Sequence, residues 1–82
     1  MHKTILIGNL GADPEMHRVG YRPVANFSVA VNERWTNGEG KQDRRTVWYR
    51  VAVWGQLGEI CKKNLAKGRK VYVEGRLIAD ED

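Results

Sequence analysis

Residues 46–54 read Thr-Val-Trp-Tyr-Arg-Val-Ala-Val-Trp, and in an extended strand, whose side chains alternate between two faces, this run separates into two chemically different surfaces. Val47, Tyr49, Val51 and Val53 share one face and have the character of a core. Thr46, Trp48, Arg50, Ala52 and Trp54 share the other. Two indoles and a guanidinium on a face that no core requires make a stacking platform for nucleic-acid bases. Every base has a π-face, so an exposed indole holds any base at about 1–3 kcal/mol by alanine substitution, a value measured on single-strand binders themselves. A neighbouring arginine can hold a phosphate or stack in its turn. The competing reading is that both tryptophans pack against another chain or under a long loop, because Trp is on average highly buried.

Outward from this strand, the chain has the dimensions of one domain. Its 82 residues allow only a thin core, so association with further copies is expected to add stability. The net charge is +4. Three of the ten acids are Asp80, Glu81 and Asp82; without them, residues 1–79 carry fourteen basic against seven acidic side chains. That excess points to a polyanionic partner. No apolar run is long enough to span a membrane, and the first residues lack a signal-peptide segment, so the expected location is the cytoplasm and no membrane partner is expected. One cysteine, Cys61, cannot close an internal disulfide, and two histidines, His2 and His17, do not make a metal-ligand set; no cofactor is implied.

Lys3 to Leu10 is a β-branched apolar run closed by Gly11 and Asp13-Pro14, the pattern of a first strand. From Val24 to about Arg34, Ala25, Phe27, Val29 and Val31 alternate with Asn26, Ser28, Ala30, Asn32 and Arg34, which predicts a half-buried second strand with Trp35 at its far end. Thr36 to Arg45 is rich in glycine and charge and reads as a mobile loop leading into the Trp-bearing strand, with Lys41, Arg44 and Arg45 available to phosphates. After Trp54 the period changes. Leu57, Ile60, Cys61 and Leu65 form one stripe of a short helix, capped by Gly68, with Cys61 as a small core residue. Lys62 and Lys63 belong to its solvated face, and Lys67 beside the cap is a phosphate candidate. Lys70 to Ile78 returns to period two, with Val71, Val73 and Leu77 inward and a bulge or bend expected at Gly75.

This order, in a small basic domain, fits an all-β fold with one short helix, a partly open Greek-key barrel of the OB type. Pattern alone leaves a β-meander or a ferredoxin-like sheet open. Four blocks carry a sharper resemblance: M-H-K-T-I-L-I-G-N-L-G-A-D-P-E at 1–15, V-A-N-F-S-V-A-V-N-E-R-W at 24–35, W-Y-R-V-A-V-W-G-Q-L-G-E at 48–59 and L-A-K-G-R-K-V-Y-V-E-G-R-L at 65–77. In order and spacing they resemble the bacterial single-stranded DNA-binding proteins, almost end to end.

The resemblance implies a nucleic-acid site with Trp35, Trp48 and Trp54 at base-stacking positions, and with Arg50, Lys3 and Lys67 at positions that contact or attract the backbone. It implies single-stranded DNA as partner and a homotetramer, with a dimer as the alternative. Tyr49 matches a position near a subunit boundary, and Gly8, Gly11, Gly55, Gly58 and Gly75 match requirements of the fold. The chain also departs from the family. After Ile78 it reads Ala79, Asp80, Glu81, Asp82, without the family's further Trp, its fifth, closing strand or the acidic-tipped tail that recruits replication and repair proteins. An open strand edge is therefore expected, which a neighbouring subunit could cover.

No nucleophile–base pair, carboxylate dyad or metal cluster is visible, so a binding protein is expected rather than an enzyme. Two alternatives remain: an OB-type protein-interaction module of the primosomal kind, and an RNA-binding OB domain. Arg50 between the two indoles opposes the first, because charge is disfavoured at the centre of a dry protein interface.

Overall fold

The computed structural model describes residues 3–79; His2 and the terminal acids Asp80, Glu81 and Asp82 lie outside the described residues. The elements in order are β1 (Thr4–Leu10), β2 (Glu15–Val19), β3 (Arg22–Thr36), β4 (Gln42–Trp54), α1 (Gly55–Asn64) and β5 (Lys70–Gly75). All strand pairs are antiparallel. The 15-residue β3 organises the sheet: β4 runs along its whole length from Val24↔Trp54 to Thr36↔Gln42. Its other edge is shared by β2, beside residues 22–26, and β1, which crosses at Asn9↔Ala30 and Leu10↔Val29. β5 then pairs with β1. Gly8 makes the crossing possible, because a Cβ there would collide with the Ala30 carbonyl.

Phe27, Val29 and Leu10 form the buried cluster, with Val31, Val51, Val53, Cys61, Leu65, Val71 and Val73 packed around it. Half-burial of Val47, Tyr49, Val51 and Val53, alternating with exposed neighbours, reproduces the expected two faces of β4. The helix sits close against the strands at Gly58, where a side chain would meet the Val53 carbonyl. It turns Gly58 and Cys61 inward, with Leu65 packed on the core just past its end, and leaves Leu57 and Ile60 at 61% and 49% exposed, so the expected four-residue stripe is not a single buried face of the helix. Burial pushes the Cys61 thiol pKa up.

Five expectations are corrected. A strand absent from the sequence reading, β2, forms a hairpin with β3 through the two-residue turn Gly20-Tyr21. Gly20 takes φ +63°, which suits the first central position of a mirrored hairpin turn. The expected loop 36–45 is mostly strand, and only residues 37–41 turn. Asn37 Oδ1 accepts from the N–H groups of Glu39 and Lys41 at 2.9 and 3.1 Å, which orders this turn. The helix ends at Asn64 with extended Leu65 at its C-cap, and Gly68 (φ +86°) belongs to the following turn. β5 stops at Gly75 instead of reaching Ile78, leaving Leu77 62% exposed. Finally, Lys62 reaches back to Pro14, donating from Nζ to its carbonyl at 2.8 Å, and is not simply solvated.

With β2 counted, five strands are present among the described residues, yet their sheet remains open. β4 and β5 are each paired on one side only among the described residues. Between them and α1 lies a groove of about 840 Å³ reaching Phe27, Val51, Cys61, Leu65 and Val73. The departure from the family implied an edge left open for want of a closing strand, and no strand follows Gly75 among the described residues.

Candidate nucleic-acid interface

The register builds the site row by row on the outer face of the β3–β4 ladder. Reading along it, Arg34 faces Arg44, Asn32 faces Thr46, Ala30 faces Trp48, Ser28 faces Arg50, Asn26 faces Ala52 and Val24 faces Trp54. Small partners at Ala30 and Ser28 leave the large β4 side chains standing clear of the sheet. Trp48 is 58% and Trp54 41% exposed, so in the single chain neither is buried. Arg50 lies between them on the same face, two residues from Trp48.

Trp48 rests on Gly11. A Cβ built there would come within 2.5 Å of Cζ3 of the indole, so the missing side chain is what lets the ring lie over the end of β1. The same corner holds the segment after α1: the Lys67 N–H donates to Asp13 Oδ1 at 2.8 Å, Gly68 N–H donates to the Leu10 carbonyl at 2.8 Å, and Asn9 Nδ2 donates to the Gly68 carbonyl at 2.9 Å. Lys67 is thereby brought to the Trp48 corner, with its exposed side chain available to an anion.

Trp54 carries a partner that sequence reasoning missed. Arg22, diagonal to it across the ladder, places its guanidinium carbon 4.7 Å from the ring centroid. The available signal was the basic residue beside the Gly20-Tyr21 turn, but its meeting with Trp54 depends on the β3–β4 register.

Two expected residues are placed differently. Trp35 pairs with Asp43, and strand alternation sets it on the face opposite Trp48, together with Glu33 and Arg45. There Arg45 bonds Glu33 (Nε–Oε2 2.9 Å) and lies 5.7 Å over the Trp35 ring. Trp35 is 42% exposed, but it stands near the tip of the ribbon and does not join the Trp48–Trp54 row. Lys3 enters β1 at the end away from Asn9, about 20 Å along the strand at some 3.3 Å per residue, and pairs with Glu74 (Nζ–Oε1 3.2 Å). The structure brings together Trp48, Arg50, Trp54 and Lys67, adds Arg22, Arg34 and Arg44, and leaves Lys3 apart.

Comparison with known proteins settles the lineage. The family model described as "Single-strand binding protein family" matches residues 1–81. The chain belongs to this family. Single-strand binding protein relatives include "Single-stranded DNA-binding protein 1" of Chlorobaculum tepidum, 44% identical over 78 residues, which cover 94% of this chain and 48% of the relative. The single-stranded DNA-binding protein of Neisseria meningitidis is 44% identical over 81 residues, covering 94% and 45%. The chain thus spans about half the length of these relatives. Among solved structures, the Plasmodium falciparum SSB complex with ssDNA superposes with a TM-score of 0.85 at 37% identity, covering 93% of this chain and 68% of that one. A deletion mutant of the single-stranded DNA binding protein from Thermus aquaticus gives 0.87 at 26% identity, covering 100% and 42%. The open sheet with one short helix is therefore an OB-fold of the single-strand binding protein kind.

Proposed function

We propose that this chain binds single-stranded DNA with little regard to sequence and without any catalytic step, covering exposed strands during replication, repair and recombination. The observation that carries the reading is the exposed row Trp48, Arg50, Trp54 on the outer face of β4. Bases stack on the two indoles, and Arg50 and Lys67 neutralise phosphates. Trp35 and Lys3 contribute from the ribbon tip and the start of β1 as outlying contacts. Because stacking and phosphate neutralisation ignore base identity, affinity is sequence-tolerant and falls with salt. Duplex DNA binds poorly, since its bases are already stacked on one another.

The working form proposed is a homotetramer in the cytoplasm, on the nucleoid. Its support is the thin core, the half-open sheet and the outer β1–β5 surface, where Ile5, Ile7 and Tyr72 are each at least half exposed. Recruitment of replication and repair proteins is assigned only to a longer chain bearing an acidic tail.

The test is a titration with oligo(dT) followed by intrinsic Trp fluorescence at low and high salt, with Trp48→Ala alongside. Deep quenching that weakens with salt and shrinks in Trp48→Ala is expected. Equal affinity for duplex and single strand, or no quenching, would remove the proposal.

A further inference from the structure

We infer that the β2–β3 turn is a further single-strand contact, in which Tyr21 stacks a base and Arg22 holds the phosphate beside Trp54. The inference rests on the binding function proposed above and extends its path: the strand runs along β3 from Trp48, past Trp54, to the turn.

Three observations converge on it. Tyr21 is 98% exposed, so its ring packs against nothing in the fold, and the turn itself asks only for the positive φ of Gly20. A large aromatic held out on a two-residue turn has few rotatable bonds to order when a base stacks on it. Arg22, next in sequence, already lies on the Trp54 ring. A guanidinium stacked on an indole keeps its N–H edge free, and that edge has the geometry to meet a phosphate. Third, the turn is basic on both sides. Arg18, opposite Pro23 on the other face of the hairpin, donates from Nη1 to the Tyr21 carbonyl at 3.4 Å. No acidic residue occurs between Met16 and Asn26, and Glu15, just before them, lies 3.6 Å from His17 Nε2.

The spacing is also suitable. Trp48 and Trp54 stand opposite Ala30 and Val24, about 20 Å apart along β3, and the turn lies about 10 Å beyond Val24 on the same line. Stacking rings would therefore continue past Trp54 instead of ending there.

The test uses the intact chain and 5′-labelled oligo(dT), read by fluorescence anisotropy across a salt series, for the wild type, Tyr21→Ala, Tyr21→Phe, Arg22→Ala and Trp48→Ala. Circular dichroism checks that each variant is folded. Tyr21→Ala is expected to bind at least about fivefold more weakly, the low end for one stacked base, while Tyr21→Phe binds like the wild type. Arg22→Ala is expected to flatten the slope of log K against log salt by about 0.7, one phosphate contact. An oligonucleotide carrying 5-iodouracil should crosslink to Tyr21 on irradiation. If Tyr21→Ala and Arg22→Ala titrate like the wild type while Trp48→Ala is impaired, the inference falls and the binding function stands. Equal losses in Tyr21→Phe and Tyr21→Ala would also overturn it, since the hydroxyl and not the ring would then be responsible. A wild type that does not bind removes the binding function itself.

Discussion

At Gly11 the absence of a side chain serves the site, and at Gly8 it serves the fold. A methyl at Gly11 meets only the far edge of the partly exposed Trp48 indole, which can swing away. Gly11→Ala should therefore cost under about 1 kcal/mol of stability yet weaken oligo(dT) binding severalfold, as measured by parallel denaturation and anisotropy titrations. A methyl at Gly8 meets the Ala30 backbone carbonyl, which cannot move without parting β1 from β3. Gly8→Ala should cost about 3 kcal/mol or more by overpacking, seen as a shifted urea midpoint. Both glycines look alike in the sequence as breaks in an apolar run. The two-residue period did separate Trp48, Arg50 and Trp54 from the core side of β4. It could not show that Arg22 lies on Trp54, because that contact depends on pairing between residues far apart in the chain.

β2 and the outer end of the β3–β4 ribbon, from Asn32 and Thr46 to the tip, are the parts least legible in advance, for a shared reason. Neither is held by an apolar stripe. In β2 only Met16 is half-buried, and the outer ribbon is knit by polar pairs, Arg45 with Glu33, Thr46 Oγ1 with Asn32 Oδ1 at 3.0 Å and Gln42 Nε2 with Thr36 Oγ1 at 3.1 Å. Hydrophobic periodicity is silent about such segments, and glycine with charge looks like a loop. The helix and β5 were recognised because their apolar residues touch the core, although α1 leaves Leu57 and Ile60 exposed. One prediction belongs to the ribbon tip. Asn37→Ala removes an oxygen that accepts from two backbone N–H groups, so amide exchange at Glu39 and Lys41 should accelerate. Global stability should fall by no more than about 1 kcal/mol, because the tip lies beyond the core.

For the molecule as a whole, the groove between β4, α1 and β5 leaves a thin core partly open. Whatever covers apolar surface in the folded state and not in the unfolded chain stabilises by mass action. The melting temperature should therefore rise with protein concentration, by several degrees over a hundredfold range, in calorimetry matched to sedimentation; a melting temperature independent of concentration would mean that single chains carry all the stability. Salt should act on the molecule in two opposed directions. Arg34 and Arg44 face each other across the ribbon, and like charges directly opposite destabilise a strand pair. Added salt screens that repulsion in the free protein, while it weakens the hold on a polyanion. Raising salt should thus slow amide exchange in the unliganded ribbon even as it loosens DNA. The unbound ribbon carries a small electrostatic strain that phosphates relieve, so binding should also tighten the protein.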